Sequence, residues 1–349
     1  MPYQVQYPTN YELKLLEPDL IQDAMLTADP IFQQFPITSK PVSMVEWIIR
    51  ENIKGLQAAR GYDGQLPRIQ NLGANLLSMI PGVYGEQSVI GERELTTRAP
   101  YNAPGAVINV DDIVVERQKI LITREVSRIR VNIWTLLTMG IFSVYAPGTN
   151  ALQHAGQYDI RSANTSTDTS IGMSGAYWSD ASNANPIVDL LAMKVNFEKG
   201  TSCRFGSGSS IFMNQKTYNY ILNSSKIGTR IFAGKNLLPS AADVANLFAN
   251  YELGKPVVVN DGYLDDNNVW HYYVPDGYAV AVGTRPNNDM IGEYIQTRNA
   301  NDPNMAPGPF IKVIDDPDKT PRNIEIHRGH NGGPAIYYPN GVVTMKIAA

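Results

Sequence analysis

"DDIVVERQKILITREVSRIRVNIWTLL", residues 111–137, is the stretch that most restricts the possible folds. Its apolar side chains recur at spacings of four, three, four and three residues, the repeat of one face of an α-helix. These residues are Ile122, Val126, Ile129, Ile133 and Leu136. With Asp111 and Asp112 as candidate N-terminal caps, the pattern predicts one amphipathic helix from about residue 112 to about residue 139. It would be on the order of 40 Å long, a strut rather than an ordinary globular helix.

The opposite face of this helix is charged. It carries Arg117, Arg124, Glu125 and Arg128. A charged helix face is most often simply solvated. It can also pair with acidic groups of a neighbouring subunit, although an exposed ion pair contributes little stability. The sequence leaves both interpretations open.

The composition is that of a folded protein with a sparsely charged surface. Of 349 residues, 43% are hydrophobic and 18% are charged, and the charged share is below the roughly 25% typical of soluble domains. We therefore expect a partner to cover part of the surface. The net charge is -4 and no run of basic residues occurs. Tight nucleic-acid binding is therefore not expected, and any contact with DNA would be weak and non-specific.

Three features bear on the compartment. The single cysteine, Cys203, excludes an intramolecular disulfide framework and a multi-cysteine metal site. The N-terminal residues lack the basic and apolar regions of a secretory signal, so we expect synthesis and first use in the cytoplasm. The most apolar stretch, residues 131–146, is shorter than the about 20 residues of a membrane-spanning helix, and we expect no membrane contact.

Before the helix, the chain reads as two extended segments. Residues 1–39 contain several prolines between short apolar clusters, with one helical turn expected near residues 20–26. They are predicted to form an arm that lies on a neighbour. Residues 45–50 alternate with the period of a half-buried strand, and the glycines that follow supply turns. Residues 40–109 are therefore predicted to form a long β-hairpin with little core of its own.

After the helix, the pattern mixes helices and strands. Pro186 begins a predicted helix, and shorter helices alternate with strands beyond it. The stretch "NNVWHYYVPDGYAVAVG", residues 267–283, reads as two strands around a turn at Pro275, Asp276 and Gly277. The class is therefore α+β, with a mixed or antiparallel sheet.

No segment carries a complete catalytic or metal-binding motif. The acidic stretch at residues 261–267 resembles a calcium loop but lacks its glycine and its final glutamate, so a turn between strands explains it better. His327 and His330 lack the glutamate of a zinc-protease motif. Cys203 lies beside Arg204 but in no thiol-protease signature, so we interpret it as a buried thiol. We predict no catalytic, cofactor or metal site, and hence no enzyme.

Four stretches resemble, in their order and spacing, one protein family. They are "FPITSKPVSM" at residues 35–44, "SMIPGVYGEQSVIGERELTTR" at 78–98, "GAYWSDASNANPIVDL" at 175–190 and "VWHYYVPDGYAVAVGT" at 269–284. The third matches a Trp-Ser pair, a capping proline and a helix aspartate, here Trp178, Ser179, Pro186 and Asp189. Together they resemble the lambda-type major capsid proteins of tailed bacteriophages, the major capsid protein E family.

The resemblance implies the Hong Kong 97-type capsid fold. Its parts would be an N-terminal arm (1–39), an extended loop (40–109), a peripheral domain with the spine helix at about 112–139 (110–225), an axial domain (226–325), and C-terminal strands that return to the peripheral domain (326–349). Trp270, Tyr272, Tyr278 and Val280 would lie in the axial-domain sheet. Pro275, Asp276 and Gly277 would form its structural turn.

The resemblance also implies a function. The chain would assemble into hexamers and pentamers of an icosahedral virion capsid around double-stranded DNA, in the host cytoplasm. Scaffolding, decoration or cement, and portal proteins would be further partners. No catalytic residue, cofactor or metal is implied. The candidate interface residues are Arg60, Tyr62, Arg68, Glu92, Arg93, Glu94, Arg98, Arg117, Arg124 and Arg128.

Other functions stay open at this point. An encapsulin-like shell protein belongs to the same fold class. A tail or fibre module would form trimers or hexamers without closed shells. An enzyme on an unrecognised α+β fold would need a pocket with perturbed titratable groups.

Overall fold

The computed structural model describes most of the chain. The described residues are 5–10, 12–16, 29–50, 74–98, 107–145, 152–157, 161–164, 175–198, 203–232, 237–265, 267–285, 289–302, 304–316 and 318–348. Helices α1 to α7 span Pro30–Gln34, Glu92–Arg98, Asp111–Met139, Pro186–Glu198, Gln215–Asn223, Ser225–Ile231 and Ala241–Asn250. Residues 12–16 are also helical.

The strands are short except for two. Strands β1 to β9 span Val5–Gln6, Ile37–Ser39, Val45–Arg50, Ala74–Met79, Gly82–Ile90, Ile108–Asn109, Ile141–Tyr145, Leu152–Gln157 and Arg161–Asn164. Strands β10 to β18 span Ser210–Met213, Lys255–Val258, Gly262–Leu264, Trp270–Tyr272, Tyr278–Val282, Gly292–Gln296, Phe310–Asp315, Ile324–Ile336 and Val342–Lys346.

Two five-stranded sheets form the body. The first sheet has the order β11-β10-β14-β18-β9, and the second has the order β16-β17-β15-β2, with β5 also paired to β17. Each combines parallel and antiparallel pairs. The pairs β1–β6, β3–β4, β7–β8 and β12–β13 stand apart from them. This mixture of helices and sheets agrees with the predicted α+β class.

The predicted domain boundary at residue 325 has to move. It falls inside β17, which runs unbroken over 324–336. Strands β15 and β16, assigned from the sequence to the axial domain, pair with β17, whereas β18 lies between β14 and β9 in the first sheet. The glycines of β17 look like a turn in the sequence, but they let neighbouring strands approach. A Cβ at Gly329 would lie 2.3 Å from the carbonyl oxygen of Tyr84. The other boundaries stay predictions.

The predicted spine helix is confirmed as α3. All five residues of its apolar stripe are buried. Gly140 ends the helix in the left-handed conformation, with φ 70°, and its N–H donates to the Leu136 carbonyl at 2.8 Å. The predicted caps are wrong, because Asp111 and Asp112 lie in the first turn. The side-chain oxygen of Asn109 instead accepts from the Asp111 N–H at 2.9 Å.

The described part of the most apolar stretch, residues 131–145, is divided between α3 and β7. Within the described ranges, none of the helices combines the length and the hydropathy needed to cross a bilayer.

The described part of the N-terminal arm packs on its own chain, and its contact with a neighbour stays a prediction. Leu13, Ile31 and Phe35 are fully buried. Strand β1 pairs in parallel with β6, and β2 pairs in parallel with β15. Leu13, Ile31 and Phe35 are therefore core residues. The helical turn expected at residues 20–26 lies outside the described residues.

The extended hairpin is confirmed over a shorter length than predicted. Strands β3 and β4 pair antiparallel, and Val45 and Trp47 are buried while Glu46 and Ile48 are exposed. Strand β5 pairs with β17 instead of continuing the hairpin, and residues 92–98 form helix α2. The glycines of β5, interpreted from the sequence as turn formers, lie opposite glycines of β17, where the two strands need room.

Residues 267–283 do not pair with each other, so the predicted hairpin is wrong. Strand β13 pairs with β12, and β14 pairs with β10 and β18. Trp270 and Tyr272 therefore lie outside the first sheet and are exposed, whereas Tyr278 and Val280 lie in it as predicted. The physical reason is that β14 is apolar on both faces and takes a central position, which the half-polar β13 could not share.

Candidate functional site

The described candidate interface residues lie on one charged strip. Helix α2, strand β5 and the spine helix α3 form this strip, and three of its arginines bind carboxylates of the same chain. The ion pairs are Arg98 with Asp112 at 2.6 Å, Arg117 with Glu94 at 3.1 Å, and Arg124 with Glu86, where Nη2 donates at 2.7 Å and Nε also contacts the carboxylate.

The other candidates differ in their surroundings. The guanidinium of Arg128 lies 5.9 Å from the ring centre of Tyr84, a cation–π distance. Glu92 and Arg93 are exposed on α2. The candidates on the extended loop, Arg60, Tyr62 and Arg68, lie outside the described residues.

The charged strip contributes little to stability. Its ion pairs are exposed, and exposed pairs are typically worth about 0–1 kcal/mol. Because Arg98, Arg117 and Arg124 already have partners on their own chain, the geometry favours the interpretation of a solvated face. Contact of this strip with a neighbouring subunit stays a prediction.

A buried polar cluster lies beneath the strip. Glu125, assigned from the sequence to the solvated face, is in fact buried, because it points from α3 onto β17. The Arg328 Nε donates to its Oε2 at 2.5 Å, and the His330 Nδ1 lies 3.1 Å from its Oε1. The three side chains are between 1% and 8% exposed. This is a fully desolvated ion pair, so losing either charge would leave the other buried without compensation.

The cluster continues along the spine helix. The His330 Nε2 is hydrogen-bonded to the Tyr294 hydroxyl at 2.9 Å. The Asn132 Nδ2 donates to the Tyr84 hydroxyl at 3.1 Å and lies 3.4 Å from that of Tyr294. We call Glu125, Asn132, Tyr84, Tyr294, Arg328 and His330 the polar seam. It joins α3 to β5, β15 and β17, so the spine helix is fixed to the second sheet by directional contacts as well as by apolar packing.

The charges of the polar seam are set by its own contacts. Burial alone would raise the pKa of Glu125, but the His330 and Arg328 side chains together have a larger, opposite effect. The pKa of Glu125 therefore lies below the ordinary glutamate value. Burial raises the pKa of Tyr294 well above its usual range. Glu125 is therefore a carboxylate, and Tyr294 a neutral phenol, at neutral pH.

Sequence reasoning missed the polar seam, although one signal was available. Glu125 comes three residues after Ile122 and four before Ile129, which places it within the apolar stripe. A charged residue in such a stripe indicates a buried partner. Nothing in the sequence indicates that the partners are Arg328 and His330.

A second buried arginine, Arg130 of the spine helix, connects three parts of the chain. Arg130 Nε lies 2.7 Å from the Asp29 carboxylate, and its guanidinium lies 5.8 Å from the ring centres of both Phe32 and Tyr273. Burial raises the pKa of Asp29 despite the opposing effects of the Ile31 N–H and Arg130. Arg130 thus holds the N-terminal arm and the segment after β13 against α3.

The predicted structural turn is present and is anchored at three points. Gly277 has φ 75°, and its N–H donates to the Thr217 hydroxyl at 3.0 Å. The Asp276 carboxylate accepts from Asn214 at 2.5 Å and from Lys216 at 2.7 Å. The Asn214 side chain also caps α5 by accepting from the Thr217 N–H at 2.8 Å. Turn and helix are therefore held as one unit.

The Trp-Ser motif brings together two of its members. The indole N–H of Trp178 donates to the Asp189 carboxylate at 2.8 Å, and both residues are fully buried. The backbone N–H of Trp178 donates to the Ile347 carbonyl at 2.8 Å. The motif thus joins helix α4 to the segment that follows β18.

The other candidates for chemistry have structural surroundings. His327 lies 3.1 Å from the Glu325 carboxylate and His330 belongs to the polar seam. The Asp265 side chain accepts backbone N–H groups in the turn between β12 and β13, as expected for a strand-connecting turn. Cys203 is buried, as expected. In the part of the chain that the structure describes, no three His, Cys, Asp or Glu side chains are grouped to hold a metal ion.

Neither a protein-family model nor a curated protein matches the chain, but solved structures do. A protein assigned as the capsid protein of a prophage of Escherichia coli CFT073 gives a TM-score of 0.56 at 13% identity, over 96% of this chain and 99% of that one. A phage-related protein from Bordetella bronchiseptica RB50 gives a TM-score of 0.58 at 9% identity, over 100% of this chain and 98% of that one. The capsid of a native GTA particle gives a TM-score of 0.52 at 12% identity, over 91% of this chain and 90% of that one.

The chain has a phage capsid fold. The likeness extends over nearly the whole of each protein, so the Hong Kong 97-type fold implied by the four sequence stretches is confirmed. Within this fold, the polar seam and Arg130 fix the spine helix to the sheet and to the arm. The charged strip lies on the surface, whereas the extended hairpin packs Val45, Trp47 and Met79 into the core.

Proposed function

We propose that this chain is the major capsid protein of a tailed double-stranded DNA bacteriophage and assembles into the hexamers and pentamers of an icosahedral shell. The observation that carries the proposal is the phage capsid fold, shared over 96% of this chain and 99% of a prophage capsid protein. The role is structural, and we assign no catalytic residue.

The surface supports this proposal. On the extended hairpin, Ile48 and Leu76 lie directly opposite each other on the two strands and are 56% and 63% exposed. Exposed apolar side chains on a two-stranded ribbon promote aggregation unless another chain covers them. A shell built from identical subunits provides that cover at every copy.

The remaining assignments follow from the same proposal. The chain would reside in the virion capsid after assembly in the host cytoplasm. Scaffolding, decoration or cement, and portal proteins would be its partners, and contact with packaged DNA would be non-specific. Contact of the predicted interface residues Arg60, Tyr62 and Arg68 with a neighbouring subunit is part of the same proposal.

Expression of the chain alone, followed by negative-stain electron microscopy and mass photometry, tests the proposal. We expect closed or partial shells, tubes, or free hexamers and pentamers. If the chain stays a monomer or dimer at high concentration, the same measurement is repeated with the scaffolding protein co-expressed. A monomer or dimer under both conditions would overturn the proposal.

A further inference from the structure

Strand β5 is a sheet edge that no further strand of the described chain covers. It pairs with β17 over nine consecutive residues, from Gly82 to Ile90, without a shift in register. Among the residues that the structure describes, β17 is its only strand partner. In an antiparallel pair, every second residue of an edge strand directs its N–H and C=O away from the partner. About half of the backbone groups of β5 are therefore available to an incoming strand.

The other edges of the two large sheets carry features that hinder strand addition. Strand β11 contains Lys255 and Pro256. The Val313 N–H of β16 is occupied, because it donates to the Asn10 side chain at 2.9 Å. Strands β2 and β9 are only three and four residues long. Lysine, proline, short length and covering segments are the usual means by which proteins protect sheet edges. Strand β5 is nine residues long and contains no lysine, arginine or proline, so this edge lacks the protection of the others.

The side chains of β5 give an added strand two different surroundings. Val83 and Val89 are 72% and 41% exposed and lie on one face, with Gln87 between them. Tyr84 and Glu86 lie on the other face, where they contact side chains of the spine helix. One face of an added strand would therefore lie beside valine side chains, and its other face would lie along α3.

The spine helix places an unneutralised cation beside this edge. Arg128 is exposed, and its guanidinium lies 5.9 Å from the ring centre of Tyr84 on β5. Arg124, on the same flank of α3, is neutralised by Glu86. In the described part of the chain, no carboxylate lies within ion-pair distance of Arg128. The charge that remains at this edge is therefore positive, which favours an acidic strand and disfavours a basic one.

We propose that the free edge of β5 binds an extended acidic segment of another protein as an added β-strand, with a carboxylate of that segment on Arg128. In strand addition, backbone hydrogen bonds supply the affinity and side chains at alternate positions supply the specificity. Neighbouring strands lie about 4.8 Å apart, so an acidic side chain opposite Tyr84 is within reach of the Arg128 guanidinium. Apolar side chains at the intervening positions would lie beside Val83 and Val89. The inference does not rest on the proposed shell, because the edge and Arg128 belong to a single subunit.

A designed peptide tests this site directly. The probe is a short capped peptide in which valine and glutamate alternate, and the measurement is amide hydrogen exchange in residues 82–90 of the full-length chain. We expect the peptide to slow exchange there by about tenfold, because the outward amides of β5 gain partners. The same peptide with lysine in place of glutamate, and a version with N-methylated amides that cannot pair with a strand edge, should have little effect. Unchanged exchange with the glutamate peptide at millimolar concentration, or an equal effect of the lysine peptide, would overturn the proposal.

Variants of Arg128 test the charge recognition. Arg128→Gln should weaken binding of the labelled glutamate peptide about fivefold, measured by fluorescence anisotropy. Arg128→Glu should reverse the preference, so that the lysine peptide binds more tightly than the glutamate peptide. Lys312→Gln removes an exposed cation from β16 of the same sheet and should bind the glutamate peptide as the wild type does. Equal affinity of Arg128→Gln and the wild type would contradict the acidic partner.

The same exchange measurement separates another protein from a second copy of this chain. It is repeated without peptide, below and above the concentration at which the chain associates. We expect residues 82–90 to exchange equally fast in both samples. Slowed exchange that appears only in the associated chain would show that a second copy occupies the edge, and would overturn the assignment to another protein.

Discussion

Glu125 is the residue on which the attachment of the spine helix depends most. It joins α3 to Arg328, which is 203 residues away in the chain, and to His330. Removing one partner of a buried ion pair typically costs about 3–5 kcal/mol, because the other charge stays buried. We expect Glu125→Gln to lower the free energy of unfolding by about 3 kcal/mol at neutral pH. Urea denaturation followed by tryptophan fluorescence measures this change.

The same residue gives the fold a defined acid sensitivity. The pKa of Glu125 is lower in the folded protein than in the unfolded chain, so its contribution to stability is complete above the ordinary glutamate pKa of about 4.3 and is lost as the pH falls through the folded value. Wild-type protein should therefore lose more stability between about pH 6 and pH 3 than Glu125→Gln. Glu86→Gln, which alters an exposed pair, should follow the wild type. Equal acid dependence in Glu125→Gln and the wild type would contradict the assignment.

Gly277 cannot be replaced without strain. Its φ is 75°, and a Cβ there would lie 2.8 Å from the Ala348 Cβ. A left-handed backbone costs a side-chain-bearing residue about 1–2 kcal/mol, and the clash adds to that cost. We expect Gly277→Val to lower the free energy of unfolding by about 2 kcal/mol or more and to reduce particle yield. In Gly206→Val, where a Cβ meets nothing within 4 Å, both quantities should change little. Wild-type particle yield from Gly277→Val would refute this role of the turn.

Single residues were predictable where the chemistry is local. The turn at Pro275, Asp276 and Gly277 follows from backbone preferences, and the structure contains it. The burial of Glu125 depends on β17, far along the chain, so only its position within the apolar stripe was readable. The interpretation of Asp111 and Asp112 as caps failed because Asn109, two residues earlier than Asp111, offers a side-chain oxygen to the helix start.

At the scale of elements, a group of polar and aromatic side chains holds the base of the extended hairpin. The Glu293 carboxylate accepts from Thr38 at 2.6 Å and contacts Lys40 and Tyr337. Trp47 meets the Tyr337 ring edge-on at 6.0 Å between centres. These contacts fix the direction in which the hairpin leaves the body.

Loosening this base should expose the hairpin without unfolding the body. We expect Glu293→Gln to speed protease cleavage within residues 40–79 by about tenfold, because one lost charge-assisted hydrogen bond lowers the local opening energy by about 1.4 kcal/mol or more. Limited proteolysis with mass spectrometry measures it. Glu46→Gln, on the exposed face of the hairpin, is the control. Unchanged cleavage in Glu293→Gln would show that the hairpin is held by other contacts.

Elements were predictable in kind, but their partners were not. The period of the spine helix is a property of the helix alone. Its predicted bounds, about 112–139, therefore agree with the observed Asp111–Met139. The pairing of β13 with β12 and of β14 with β10 depends on sheet topology, which strand patterns do not encode. Alternation identifies a strand and its buried face, and leaves its neighbours undetermined.

For the whole molecule, the internal pairing of the charged strip predicts how assembly responds to salt. Arg98, Arg117 and Arg124 already bind carboxylates of their own subunit, so apolar faces are expected to drive association. Salt screens charges but does not weaken apolar contacts. Raising the salt from about 0.1 to about 0.5 M should change particle yield less than twofold, measured by light scattering. A tenfold loss would indicate that ion pairs between subunits hold the shell.

The position of β18 in the first sheet affects how the subunit folds during its translation. β18 lies between β14 and β9, yet 64 residues separate Val282, the end of β14, from Lys346. A ribosome adds about 5–20 residues per second, so a growing chain waits about 3–13 s with this sheet unfinished. During that delay the nascent subunit lacks the strand that joins both halves of the sheet. Copies can therefore meet as complete building blocks only after this last strand has left the ribosome, and translation itself sets the order in which folding and assembly occur.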